Sequence, residues 1–215
     1  NHGWWWLGYS RKSIKFQSMR ILKNIFVSIL ILFFLTKNSW SNSPSEFINS
    51  LSSKASNILS SKLSEDEKIL RLKEIGEQSV DIEGIGLYTL GKYRKTLNDN
   101  QKKQYKELFR NYFLKSFSSR LVGYTDAKIA VLSEEIKNEK YTIVYSKLIG
   151  TSERPEVKID WRVYTKDPEN PLIRDLVIEG LSLARTQKEE FNSIIANNDG
   201  NIEALFENLN KFMEN

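Results

Sequence analysis

Val157-Lys158-Ile159-Asp160-Trp161-Arg162-Val163-Tyr164 alternates apolar and charged side chains without a break. Neighbouring side chains of a strand point to opposite faces, so Val157, Ile159, Trp161 and Val163 share one face while Lys158, Asp160 and Arg162 take the other. A dry face backed by a wet one marks an antiparallel sheet covered on a single side. The same period of two recurs over residues 128–134, 141–149 and 172–179, and the strand quoted extends over 156–166, with short polar turns between them. Four strands are predicted.

Upstream the period changes to 3.6. Ser43-Pro44-Ser45-Glu46 combines a capping box with proline at the first helical position, followed on one face by Phe47, Leu51, Ala55, Ile58 and Leu59. Ser64-Glu65-Asp66-Glu67 is a second capping box, for a helix expected to stop at Gly76. Asp81 caps a third helix over residues 82–95, which carries Gly84, Gly86 and Gly91 at roughly 1 kcal/mol each in a helix interior. That cost has two readings: close backbone packing, the commoner one, or space for a ligand beside Ile82, Ile85, Leu90 and Tyr93. Under the second reading this helix is the candidate gate.

Asn98 with Gln101 opens a long helix whose Tyr105, Leu108, Phe109, Tyr112, Phe113, Phe117 and Leu121 recur at helical spacing. Two further helices, 183–197 and 202–213, close the chain. The predicted fold is α+β, with helices packed on one face of a four-stranded or slightly larger antiparallel sheet.

The chain has 215 residues, no cysteine and a single histidine, His2. Thiol chemistry is excluded, and zinc, haem and iron–sulfur sites lose their usual ligands. The run Ile25 to Leu35 is apolar over eleven residues, follows Met19-Arg20 and Lys23, and precedes Ser39-Trp40-Ser41. Too short to span a bilayer, it reads as a secretory signal peptide over residues 19–41. Residues 1–18, with Trp4-Trp5-Trp6, then form an upstream extension, and 42–215 one domain. The first 41 residues carry Arg11, Lys12, Lys15, Arg20, Lys23 and Lys37 and no acid, so 26 of the 32 basic residues remain against 27 acidic ones. The formal charge of +5 belongs to the export segment, and nucleic-acid binding loses its support.

Asp175-Leu176-Val177-Ile178-Glu179-Gly180-Leu181-Ser182-Leu183 is a strand leading through a glycine turn into a helix. Gly180-Leu181-Ser182-Leu183-Ala184 nearly matches the nucleophile elbow of serine hydrolases. With no histidine in the mature domain to act as base, Ser182 reads as a helix cap.

The pattern Asp-x-x-x-Glu-Gly-x-Ser-Leu, with Phe191 and the tail from Gly200 to Leu209, resembles the MlaC, or toluene-tolerance, family of periplasmic phospholipid-binding proteins. Val80-Asp81, Leu90-Gly91-Lys92-Tyr93-Arg94, Gln101, Phe109 and Tyr124 extend the resemblance over nearly all of the mature chain. It departs at Gln187-Lys188, where relatives tend to carry Tyr-Arg, and at Arg174, where they tend to carry an aromatic.

The resemblance implies a soluble periplasmic carrier, not an enzyme, with phospholipid as cargo and no cofactor or metal. Such a carrier works as a monomer between an outer-membrane lipoprotein/porin complex and an inner-membrane MCE-domain ABC transporter, maintaining outer-membrane lipid asymmetry. Its acyl chains would lie between helices and sheet. The candidate contacts are Ile82, Ile85, Leu90 and Tyr93; Leu108, Phe109, Tyr112, Phe113 and Phe117; the strand residues Ile129, Val131, Ile143, Tyr145, Val157, Ile159, Trp161, Val163 and Val177; and Phe191. Apolar periodicity is common to a filled core and a lipid cavity.

Lys102, Lys106 and Arg110 form a basic row on the long helix, either a solvated face or a docking stripe for an acidic partner or an anionic headgroup. Two other classes remain open: a periplasmic adaptor with a dry core, and an enzyme of a cone-shaped α+β fold using Asp160, Asp175 or Glu179.

Overall fold

Alternation alone does not say which face of each strand is dry; pairing does. In the computed structural model, which describes residues 43–214, five strands lie side by side in chain order, each antiparallel to the next. They are β1 (Ile129–Asn138), β2 (Tyr141–Leu148), β3 (Val157–Tyr164), β4 (Leu172–Ile178) and the short β5 (Leu181–Ser182). The fifth strand follows from the Glu179-Gly180 turn, where both residues have positive φ, 48° and 84°. That is the requirement of a tight hairpin whose twist matches its strands. The readings made for residues 1–41 lie outside the described residues.

The predicted inward faces of β3 and β1 hold; those of β2 and β4 do not. In β2, Val144 pairs with Trp161 and Ser146 with Ile159, whereas Ile143 faces Arg162 and Tyr145 faces Asp160. The dry set is therefore Thr142, Val144, Ser146 and Leu148, although the other set is the more apolar. Burial of Ser146 is tolerated because its hydroxyl donates to the Ile159 carbonyl (2.8 Å) and accepts from the Trp161 indole N–H (2.8 Å).

In β4, Arg162 faces Asp175 while Val163 faces Ile173, leaving Arg174 as the extra residue of a bulge. The bulge resets the phase. Ile173 before it, and Leu176 and Ile178 after it, all point toward the helices, and Val177 lies on the other face with Asp175.

Six helices cover the dry face: α1 (Pro44–Leu59), α2 (Glu65–Ser79), α3 (Ile82–Thr89), α4 (Asp99–Leu121), α5 (Leu183–Ala196) and α6 (Ile202–Glu214). The capping boxes Ser43/Glu46, Ser64/Glu67 and Asn98/Gln101 are all reciprocal, each worth about 1 kcal/mol. Two predicted ends move. α2 runs past Gly76 to Ser79, with Gly76 buried under Leu114 and Phe117 of α4. The third helix ends at Thr89, because Gly91 at φ +55° breaks the α-helix and a 3-10 turn, Gly91–Lys95, follows.

α1 lies over β1 and β2, α3 and α5 lie against β4, and the long α4 rests on α2, α3 and α6. Arg174 fastens α3 to the sheet: its Nε–H donates to Asp81 Oδ2 (2.5 Å), Nη1 bonds the Tyr141 hydroxyl, and its plane lies 3.9 Å over the Tyr164 ring. Asp81 in turn accepts from the Gly84 N–H (3.0 Å) and caps α3.

The two sheet edges differ. β5 is only two residues long, and β1 is interrupted by irregularities at Leu132 and Lys137.

Candidate functional site

The buried apolar side chains form two clusters. One is helical and includes Leu90, Tyr105, Phe109, Phe191, Leu205 and Phe206; the other, beside the sheet, comprises Ile48, Val80, Val144, Val163 and Ile173. Ile82, Ile85 and Phe113 pack against both and span the gap between α4 and the sheet. Around that gap Phe47, Leu51, Val131, Trp161 and Leu176 are only half-buried. Large apolar groups left part-wet on the interior side of a sheet mark a seam rather than a sealed core.

A cleft of about 350 Å³ lies between the end of α2, α3 and α4 and meets the seam at Ile82. Its apolar lining includes Val80, Ile82, Leu87, Phe109 and Leu172. Gly86 lies where the cleft meets the helical core, and a Cβ added there would stand 2.8 Å from Phe109 Cδ1. Both readings of the glycines thus apply at Gly86: it admits the Phe109 ring, and it borders space. Its carbonyl accepts from Thr89 Oγ1 (2.7 Å) and from the Tyr105 hydroxyl (3.2 Å). Burial pushes the Tyr105 phenol well above its ordinary pKa, so it stays a neutral donor. Gly86→Leu is expected to overpack against Phe109 and lower the urea unfolding free energy by about 1–3 kcal/mol; an unchanged midpoint would show that the ring can move aside freely.

The candidate contacts fall into four groups. Ile82 and Phe109 line the cleft, and Ile85 and Phe113 bridge the clusters, with Phe117 stacked on Phe113 at 5.8 Å. Ile129, Val131, Val157, Ile159, Trp161 and Val163 share the sheet's helix-facing side, where Val163 is fully buried and the others are half-buried. Leu90, Tyr93, Leu108, Tyr112 and Phe191 belong to the helical core, with Tyr112 also donating to Gln187 Oε1 (2.9 Å). Ile143, Tyr145 and Val177 are on the opposite face of the sheet from the seam. Val80, Leu87, Leu172, Leu176 and Ile178 were not among the expected contacts. For Leu176 and Ile178 the bulge hid the phase; Val80 reaches the site through an isolated parallel bridge to Ile173 that no periodicity announces.

The basic row is not a free positive stripe. Lys102 pairs with Asp99 of its own helix (3.3 Å), Lys106 with Glu83 of α3 (2.5 Å) and Arg110 with Glu77 of α2 (2.5 Å).

The sequence profile of the family described as MlaC protein matches residues 49–211, from within α1 to within α6. The chain belongs to the MlaC family. No curated protein sequence matches it. Among solved structures, the phospholipid-binding protein from Ralstonia solanacearum in complex with a phospholipid superimposes with a TM-score of 0.64 at 16% identity, covering 78% of this chain and 94% of that one. At that identity the likeness speaks for the fold.

Most of the polar residues open to a catalytic reading in this MlaC-family chain have structural partners, although Asp160 Oδ1 is buried without a hydrogen-bond partner. Ser182 caps α5, accepting from the Arg185 N–H (3.1 Å), and donates to Asp175 Oδ2 (2.5 Å). Asp175 also accepts from the Ala184 N–H (3.0 Å), Glu179 accepts from the Lys158 N–H, and Asp160 lies 3.6 Å from the Lys158 amine. Among the described residues, no group of three or more His, Cys, Asp or Glu is placed to hold a metal ion, and no helix is long and apolar enough to cross a membrane.

Proposed function

We propose that this protein is a periplasmic phospholipid carrier whose acyl-chain site is the seam between α4 and the sheet, entered through the cleft beside α3. It would be exported by the signal peptide and would shuttle lipid, as a monomer, between an outer-membrane lipoprotein/porin complex and an inner-membrane MCE-domain ABC transporter. The observation that carries the reading is the part-wet apolar seam spanned, among the described residues, by Ile82, Ile85 and Phe113 in a chain of the MlaC family. A phospholipid in the Ralstonia structure of like fold supports it.

Magnitudes define the mechanism. A cleft of about 350 Å³ is at the small end of ligand pockets, about 300–1,000 Å³. Two sixteen-carbon tails need the large end of that range, and the bridging side chains must separate for full loading. Burying about 30 methylenes at about 0.8 kcal/mol each is worth on the order of 20 kcal/mol before entropy losses. Release into water is then very slow, and transfer takes place in contact with a membrane partner.

Native mass spectrometry of the mature form from Asn42, expressed with export to the periplasm, is expected to show a stoichiometric phospholipid adduct. Gly86→Leu should carry less of it, since the new side chain pushes against the Phe109 ring that lines the cleft. A bare mass that persists after incubation with phospholipid vesicles would return the reading to an adaptor or an enzyme.

A further inference from the structure

The mouth of the cleft is lined by charge in a particular order. Lys106 and Arg110 stand one turn apart on α4, near enough to share one ligand. Glu83 and Glu77 face them from α3 and α2, and each cation reaches across to one of the carboxylates. The four side chains are 41% to 63% exposed, so these pairs are well screened by water and are easily exchanged for other partners. Asp81, the remaining charge in the lining, is held by Arg174. The mouth is therefore electrically balanced: two cations, two anions, with an apolar floor behind them.

We propose that this mouth is a headgroup subsite selecting zwitterionic aminophospholipids, with the phosphate on Lys106 and Arg110 and the ammonium on Glu77 and Glu83. The inference rests on the carrier reading and adds a specificity to it. A zwitterion replaces the two ion pairs partner for partner and leaves no charge over. A purely anionic headgroup of the glycerol type would also take both cations, but it would strand Glu77 and Glu83 beside its phosphate, and like charges at that range repel. The Arg110 fork can grip two phosphate oxygens at once, while Lys106 acts as a point charge.

The test is competition. Delipidated mature protein is equilibrated with vesicles containing equal amounts of phosphatidylethanolamine and phosphatidylglycerol of matched chains, re-isolated and extracted, and the bound lipids are quantified. The unaltered protein is expected to enrich phosphatidylethanolamine several-fold. The E77Q/E83Q variant should lose that preference, shifting the ratio at least about fivefold toward phosphatidylglycerol, roughly 1 kcal/mol of discrimination. Circular dichroism checks the fold; if the double variant does not fold, E83Q alone should move the ratio in the same direction. Lipid bound at an unchanged ratio, or a parent protein without preference, overturns the subsite and leaves the carrier intact. Uptake of neither lipid by the unaltered protein overturns the carrier reading itself.

Discussion

Phe109→Ala is expected to lower the unfolding free energy of the delipidated protein by about 3–5 kcal/mol, the range for truncating a buried aromatic. Phe109 is 2% exposed, and its ring centroid lies 5.8 Å from Tyr105, 6.2 Å from Phe113 and 6.2 Å from Phe191. It joins α4 to α5 and fills the groove over Gly86. Domains of this size are stable by only about 5–15 kcal/mol, so the variant should show a much lower urea midpoint with a similar slope. Delipidation matters, because any ligand that binds only the folded state would mask the loss. A penalty below about 1 kcal/mol would mean that the space left by the ring collapses or merges with the cleft at little cost, and that Phe109 is wall rather than core.

Asp175→Ala should be nearly as damaging, by about 3–4 kcal/mol. The carboxylate is 7% exposed and accepts from both the Ser182 hydroxyl and the Ala184 N–H, and Arg162 Nη1 lies 3.5 Å away. Removing it leaves two buried donors without an acceptor, each costing about 1–3 kcal/mol. The half-exposed Arg162 can turn to water and adds little. Asp175→Asn keeps one acceptor oxygen and should cost about half as much. The coupling between Asp175→Ala and Ser182→Ala, measured by a double-mutant cycle in urea, should exceed about 1 kcal/mol. Equal losses for alanine and asparagine, with no coupling, would show that the side chain matters here only for its volume.

Local signals gave most of the fold. Three reciprocal capping boxes fixed the starts of α1, α2 and α4, and the strict alternation of β3 fixed its dry face. Tertiary context decided the rest. α2 continues through Gly76 because Leu114 and Phe117 cover it, overriding the local preference to stop. β2 turns its more apolar side away from the helices because its register follows β3, and the inward Ser146 hydroxyl finds partners. One inserted residue, Arg174, inverts every side chain of β4 after it. At the cleft, Glu77 and Glu83 come to Arg110 and Lys106 from 33 and 23 residues away. A one-helix view of the basic row therefore sees the cations and misses what neutralises them.

The unequal sheet edges bear on how copies of the chain treat one another. An open strand edge is a template for another strand. At one end of this sheet, β5 offers only two residues, too few for a lasting ladder. At the other, β1 exposes Leu132 and Ile136, yet both irregularities break its row of hydrogen-bonding groups and Glu134, Glu135 and Lys137 place charge along it. A domain with a part-wet apolar seam is prone to self-association when crowded. Here neither end of the sheet gives a second copy a straight, uncharged strand on which to add, so concentrated protein should resist fibril-like stacking.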